Sequence, residues 1–163
     1  MIELTPSWEF VADTVMGGVS SGQISTEKIA GRVATRLTGD VSLENNGGFV
    51  QMAFDINEDG SAFDASRFNA IELDVIGNSE TYDLRLRTPD LTRPWQSYRA
   101  SFMASPNWTT VSIPFSDFAP HKTEVPFDPR GLRRIGVLGI GRVFSAHVAV
   151  SSVHLINGAG DAA

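Results

Sequence analysis

The side chains that could act as a general base or a nucleophile show no catalytic spacing in this chain. Its three histidines are His121, His147 and His154. His121 follows Pro120 in a predicted loop, and His147 alternates out of phase with apolar neighbours, which places it on the polar face of a strand. A hydrolase needs serine, histidine and carboxylate to converge, and we expect no serine here to have the Gly-x-Ser-x-Gly spacing of a nucleophile elbow. We therefore expect no catalytic residues and no enzymatic activity.

Two glycine-rich segments, residues 13–22 and 43–49, adjoin stretches that alternate like β-strands, so we expect hairpin-like loops there. A Gly-Gly pair permits positive φ or close approach of another group, and asparagine tolerates the left-handed region. Both loops carry more polar and apolar side chains than a turn needs, which predicts a binding surface. A purely structural role stays open, as does the question of whether the loops meet in space. The candidate binding residues are Asp13, Met16, Gly17, Gly18, Ser20, Ser21, Asn45, Asn46, Gly47 and Gly48.

A second candidate surface is basic and aromatic. Arg85 and Arg87 share one face of a predicted strand, and Arg99 joins them if its strand pairs across the following turn. The alternative is a solvated polar face that also includes Asp83. Trp95 lies in the predicted turn, where an exposed indole suits either a protein contact or a sugar platform.

Metal and cofactor motifs are incomplete in this sequence. Residues 55–60 imitate the first half of a calcium-binding loop, but Ser66 stands at the twelfth position, where a bidentate glutamate is required. Residues 139–141 contain two glycines after an apolar run, but Phe144 stands where a dinucleotide loop has its third glycine. The chain has no cysteine, which excludes disulfides and thiolate metal sites. We expect no metal and no cofactor.

Period-two alternation dominates the chain and predicts the elements that must position these side chains. Val50, Met52 and Phe54 face one way, while Gln51 and Asp55 face the other. Short alternating strands between Gly, Pro, Asn and Asp turns predict an all-β fold, a two-sheet antiparallel jelly-roll sandwich. Strands are predicted at residues 8–11, 32–37, 50–56, 71–75, 82–87, 98–104, 108–113, 134–138 and 146–150, and helical turns at residues 116–119 and 129–132. We assign residues 1–157 to a single sandwich domain and residues 158–163 to a flexible tail.

The composition is acidic. The 163 residues carry a net charge of −6, which opposes nonspecific binding to nucleic acid or anionic lipid. Residues 1–8 have neither the basic start nor the apolar run of a signal or transit peptide. No segment approaches the roughly 18 consecutive apolar residues needed to cross a bilayer. We therefore expect a cytoplasmic location, no nucleic-acid partner and no membrane insertion.

Five segments occur in a recognisable order: residues 13–22, 44–49, 82–87, Trp108 and residues 113–118. In order and spacing they resemble the successive motifs of the complex I intermediate-associated protein family, over nearly the whole chain. The resemblance implies a galactose-binding-like β-sandwich. For mitochondrial members it also implies a role in assembling NADH:ubiquinone oxidoreductase rather than catalysis.

The sequence thus predicts a non-catalytic protein-interaction module, with respiratory complex I subunits or assembly intermediates as the partners that the resemblance implies. Its docking groups would be the two glycine-rich loops and the face that carries Arg85 and Arg87. The alternative is a carbohydrate-binding module, because galactose-binding-like domains hold sugars in loops at one end of the sandwich. Fold analogy alone does not decide between these functions.

Overall fold

The computed structural model describes residues 1–46 and 48–158, with the backbone alone at residues 15, 16 and 46. The described residues form twelve strands: β1 (Ile2–Glu3), β2 (Glu9–Ala12), β3 (Ser21–Ile29), β4 (Arg32–Val41), β5 (Phe49–Asp55), β6 (Ala70–Gly77), β7 (Thr81–Arg87), β8 (Ser97–Met103), β9 (Thr109–Pro114), β10 (Ala119–His121), β11 (Arg134–Ile140) and β12 (Phe144–Ile156). Short 3-10 turns lie at Asp13–Met16, Glu44–Asn46, Phe115–Asp117 and Pro129–Gly131.

The strands form two sheets of six strands each. The first sheet has the order β3-β4-β12-β6-β9, with β1 paired to one end of β12, and the second has the order β10-β8-β7-β11-β5-β2. Every strand pair is antiparallel. The predicted all-β, two-sheet architecture is confirmed.

The alternation read from the sequence places the core between the sheets. In β5, Val50, Met52 and Phe54 are buried, while Gln51 and Asp55 on the other face remain partly exposed. In β7, Leu84 and Leu86 point inward and contribute to the same core. The outward-facing residues of the second sheet are therefore free to form a surface of their own.

Strand β12 is longer than predicted, and the reason is a bulge. Alternation breaks at Ser151 and Ser152, so the prediction ended at Val150, but the pairing register shifts between Val150 and Ser152 and the strand continues to Ile156. This length lets β12 pair with β4, β6 and β1.

Strand β3 was missed because it lies at the edge of the first sheet and pairs only with β4. Edge strands carry polar residues on both faces, which hides the alternation.

The two predicted helical turns are confirmed as 3-10 turns, and the Asp128 carboxylate caps the second by accepting a hydrogen bond from the Arg130 N–H at 3.0 Å.

Both glycine-rich loops cross between the sheets. The first connects β2 of the second sheet to β3 of the first sheet, and the second connects β4 of the first sheet to β5 of the second sheet. The expectation of hairpin-like loops was therefore wrong, because the strands that flank each loop belong to different sheets.

Candidate functional site

One buried carboxylate joins the two glycine-rich loops. Asp13 is fully buried, and its Oδ1 accepts a hydrogen bond from the Ser20 N–H at 3.0 Å. Its Oδ2 accepts hydrogen bonds from the Ser20 hydroxyl at 2.5 Å, the Gly48 N–H at 2.5 Å and the Phe49 N–H at 3.3 Å. Ser20 Oγ in turn accepts a hydrogen bond from the Ser42 N–H at 2.8 Å. The loops thus meet in space at this Asp13 cluster, which we define as Asp13, Ser20, Ser42, Gly48 and Phe49.

The Asp13 cluster holds its carboxylate ionised. Burial would raise the pKa of Asp13, but the hydrogen bonds from Ser20, Gly48 and Phe49 together outweigh that effect, and the pKa is lowered from its ordinary value of 3.8. Charge-assisted hydrogen bonds of this kind are stronger than neutral ones. The charge therefore stabilises the loop crossing.

The glycines of both loops have direct structural causes. A Cβ at Gly18 would lie 2.5 Å from Cγ of Asp13, so only glycine leaves room for the carboxylate. Gly17 ends the first 3-10 turn with φ of 88°, and Gly48 has φ of 144° while its N–H points at Asp13. The Gly-Gly pairs of the sequence thus serve the Asp13 cluster.

The structure divides the ten predicted loop residues into three groups. Four are buried in or beside the Asp13 cluster, where they position the loops: Asp13, Gly18, Ser20 and Gly48. Three are exposed, and direct ligand contact by them stays a prediction: Gly17, Ser21 and Asn45. The predictions for the side chains of Met16 and Asn46 and for Gly47 lie outside the described part of the chain.

Residues 18–22 have the Gly-x-Ser-x-Gly spacing of a hydrolase elbow, so the expectation that no serine has this spacing was wrong. Ser20 at its centre is only 2% exposed, and its hydroxyl bonds to Asp13 and Ser42 rather than to a histidine. A strand follows this serine, whereas an elbow leads into a helix. Ser20 has a structural role in this arrangement.

A cleft of about 970 Å³ lies over the outer face of the second sheet. Outward residues of β5, β7 and β11 form its floor, among them Gln51, Arg85 and Gly136. A Cβ at Gly136 would lie 2.9 Å from Nε2 of Gln51, so this glycine leaves room for the Gln51 side chain. Trp95, 55% exposed, and His121 complete the wall beside β8.

Arg85 and Arg99 are held by one buried carboxylate. Arg85 donates to Oδ2 of Asp83 from Nε at 2.9 Å and from Nη2 at 2.7 Å, and its Nη1 donates to the Ser97 hydroxyl at 3.1 Å. Arg99 Nη2 lies 3.3 Å from the same Asp83 oxygen. The predicted pairing of Arg85 with Arg99 across β7 and β8 is confirmed. Two cations share one anion, so the group keeps a positive charge.

Arg87 fastens the loop that carries Trp95. Its Nη1 donates to the carbonyl oxygens of Arg93 at 3.0 Å, Pro94 at 3.1 Å and Gln96 at 2.5 Å. All three acceptors are neutral, so they satisfy the donor without cancelling its charge. Arg87 thus sets the position of the Trp95 ring at the rim of the cleft.

Two further cations line the cleft without a carboxylate partner in the described structure. Lys122 and Arg133 form no salt bridge there, and Nε of Arg133 is buried with no hydrogen-bond partner. Arg134, by contrast, has two carboxylate partners, because its Nη1 lies 3.0 Å from Oε1 of Glu9 and 3.0 Å from Oδ1 of Asp55. The positive charge of the cleft is therefore concentrated at Arg87, Lys122 and Arg133.

Burial and, to a smaller extent, the neighbouring cations lower two pKa values in the cleft. Burial lowers the pKa of Arg87, and the nearby charges of Arg133 and Arg134 lower it further. Burial likewise lowers the pKa of His121, and the neighbouring cations, led by Arg85, add to the effect. A chain with a net charge of −6 thus presents a basic cleft.

The Asp13 cluster borders one end of the cleft. Val11 directly precedes the end of β2, Phe49 directly follows Gly48, and both line the cleft together with Ile140, which pairs with Phe49. The opposite end of the same strands carries Arg134. The structure thus brings Arg85, Arg87 and Trp95 together in one cleft, with the two loops at its border.

Lys122 and Arg133 were missed by sequence reasoning, whereas Asp13, Ser20 and Gly48 were predicted and only the link between the two loops was left open. The only signal for Lys122 and Arg133 was their positive charge in predicted loops.

Among residues 1–46 and 48–158, no group of three or more His, Asp or Glu side chains is placed to hold a metal ion. Within the same residues, no helix is long and apolar enough to span a membrane.

Several solved structures with a similar fold are carbohydrate-binding modules. The family 11 module of the cellulosomal cellulase Lic26A-Cel5E of Clostridium thermocellum matches with a TM-score of 0.77 at 12% identity, over 97% of this chain and 96% of that chain. A family 11 module from the same organism, in complex with a β-1,3-1,4-mixed-linked tetrasaccharide, matches with a TM-score of 0.76 at 13% identity, over 96% and 95%. A family 30 module matches with a TM-score of 0.64 at 14% identity, over 94% of both chains.

At these identities the likeness establishes the fold alone. The protein is an all-β, two-sheet antiparallel jelly-roll sandwich, as the sequence predicted. The chain belongs to the complex I intermediate-associated protein 30 (CIA30) family, whose model matches residues 3–146. No curated protein is significantly similar to it.

Proposed function

We propose that this protein is a non-catalytic binding module that holds a segment of a protein partner in the cleft of the second sheet. Family membership supports respiratory complex I subunits or assembly intermediates as the partner class. The observation on which the proposal rests is the cleft itself, in which Arg85, Arg87 and the exposed Trp95 line one continuous surface.

The contacts of the cleft suit recognition better than turnover. Two of its cations, Arg85 and Arg87, are fixed in place by Asp83, Ser97 and backbone carbonyls, which preorganises them for a ligand. Trp95 offers a large apolar face at the rim, and tryptophan and arginine are the side chains that dominate binding energy at protein interfaces. Binding in this form would order or shield an unassembled subunit without a chemical step.

Quantitative co-purification from native cells tests the proposal. Wild-type protein should recover respiratory complex subunits, and Trp95→Ala should recover at least tenfold less, because an exposed anchor ring is lost while the core is untouched. The matched control is Val33→Ala, which trims an exposed apolar residue of the first sheet. Recovery of no complex I subunit by the wild type, together with normal complex I assembly in a deletion strain, would contradict the proposal.

A carbohydrate-binding function is the second candidate, and it rests on the solvent-facing indole of Trp95. Sugars stack on exposed aromatic rings, and the modules that share this fold carry names that describe carbohydrate binding. Calorimetric titration across a glycan panel would favour this candidate if saturable binding appeared and was lost in Trp95→Ala. Absence of saturable binding to every glycan would remove it.

A further inference from the structure

We infer that the cleft selects an acidic, extended polypeptide segment and that Arg133 and Lys122 receive its carboxylates. This inference rests on the proposed function and specifies the chemistry of the partner. It starts from cations that the described structure leaves without carboxylates.

The charges lining the cleft do not balance. Five lining residues are cationic, whereas Asp55 is the single lining carboxylate and lies against Arg134. Asp83 beside the cleft is shared by Arg85 and Arg99. The charges of Arg87, Lys122 and Arg133 are left for a ligand.

Arg133 is the strongest indication of an anionic ligand. It is half-buried, and its Nε is enclosed without a hydrogen-bond partner. An unsatisfied buried donor on a charged group disfavours the folded state unless water or a ligand satisfies it. A carboxylate is a matched partner, because it accepts two parallel hydrogen bonds from one guanidinium.

The shape of the cleft suits an extended chain. From Arg134 to Ile140 the floor follows β11, and six strand steps cover about 20 Å. An extended peptide of about six residues has the same length and places alternate side chains toward the floor. The Arg93 guanidinium lies over one face of the Trp95 ring, 5.9 Å from the ring centroid. That face is less available for stacking against a sugar, so the cleft suits a peptide better than a row of sugars.

Fluorescence anisotropy with defined peptides tests the inference. The probe is a fluorescein-labelled hexapeptide with glutamate at every second position, and its comparison is the same peptide with glutamine. We expect saturable binding of the glutamate peptide, at least tenfold weaker binding of the glutamine peptide, and loss of affinity as salt rises from about 50 to 500 mM. Equal binding of the two peptides, or no binding of either, would overturn the inference.

Three variants locate the binding site. Arg133→Gln and Lys122→Gln should each weaken binding of the glutamate peptide about tenfold. Lys122 is exposed, so its replacement keeps the test valid if Arg133→Gln fails to fold. The matched control is Arg130→Gln, because Arg130 is exposed, pairs with Asp128 and lies outside the cleft. Unchanged affinity in both cleft variants would overturn the inference.

Two further outcomes separate this inference from the proposed function. If oligogalacturonate binds as tightly as the glutamate peptide and depends equally on Arg133, the cleft recognises an acidic polysaccharide, and the inference is wrong. If Arg133→Gln and Lys122→Gln recover complex I subunits from cells as well as the wild type does, the proposed function stands and the inference fails. If the glutamate peptide binds as expected but no subunit is recovered, the proposed function fails alone.

Discussion

At the scale of single residues, Asp13 is the group on which the loop crossing depends. Replacing it by asparagine keeps its size but turns one carboxylate oxygen into an NH2 group, which cannot accept a hydrogen bond. A buried donor such as the Gly48 N–H therefore loses its acceptor. We expect Asp13→Asn to lower the free energy of unfolding by about 2 to 4 kcal/mol, as measured by urea denaturation. The control is Asp59→Asn, because Asp59 accepts hydrogen bonds from Ser61 at an exposed turn. Equal losses in the two variants would contradict this role.

The lowered pKa of Asp13 has a consequence for acid stability. A carboxyl whose pKa is lower in the folded than in the unfolded state stabilises the fold above the unfolded pKa of about 3.9. That contribution is lost as the pH falls through the folded-state pKa. We expect the unfolding free energy of the wild type to fall more steeply between about pH 5 and pH 2 than that of Asp13→Asn. Parallel curves for the two proteins would disagree with this assignment.

Sequence reasoning placed some site residues and missed others for a physical reason. Arg85, Arg87 and Arg99 were assigned to one face because strand alternation fixes the side on which a residue lies. Arg133 lies beside Arg87 because two distant segments of the chain meet there, and its N–H donates to the Arg87 carbonyl at 2.9 Å. Alternation within one strand holds no information about such contacts. The link from Asp13 to the second loop was hidden in the same way.

At the scale of elements, one side chain, that of Arg87, bonds to three carbonyl groups of the connection between β7 and β8. Arg87→Leu removes the donor that three carbonyl groups of this connection share. We expect the hydrogen-bonded amides within residues 91–96, those of Leu91, Thr92, Arg93 and Gln96, to exchange with deuterium at least tenfold faster in this variant, because their local structure opens more often. The amides of β11 provide an internal control and should be unchanged. Unchanged protection at residues 91–96 would show that the connection is held by other contacts.

The strands of the core were more predictable than those of the edges. Residues such as Leu84 and Leu86 must be apolar because they are buried between the two sheets. In the sequence this requirement produces alternation of apolar and polar residues. Edge strand β3 packs Ile24 against the core but is otherwise mostly polar, so its alternation was not recognised. The crossing of the loops between sheets was also missed, because a turn's residue types do not say to which sheet its flanking strands belong.

At the scale of the whole molecule, the fold needs more of the chain than the family match covers. The match ends at residue 146, but β12 continues to Ile156 and buries Val148, Val153 and Leu155 between its neighbours. We expect a chain ending at residue 146 to show no cooperative unfolding by circular dichroism, because β4 and β6 lose their shared partner. A chain that ends at residue 158 should unfold cooperatively near the wild-type temperature. A cooperative transition in the shorter chain would contradict this prediction.

The arrangement of charge over the molecule also bears on association. A net charge of −6 repels acidic partners at long range, whereas the basic cleft attracts them once they are close. Screening by salt weakens both interactions for exposed charges. An acidic partner would therefore bind in one place and one orientation rather than over the general surface.

The fixed position of Trp95 gives the molecule an optical label of its own. The other two indoles make contacts elsewhere. The Trp8 ring packs edge-on against the Phe54 ring with 4.8 Å between the ring centroids, and Trp108 Nε1 donates to the Ile29 carbonyl at 3.0 Å. Only Trp95 is both highly exposed and at the rim of the cleft. A ligand in the cleft would exclude water from this ring and shift the tryptophan fluorescence maximum to shorter wavelength. Unlabelled protein could therefore report its own binding in solution.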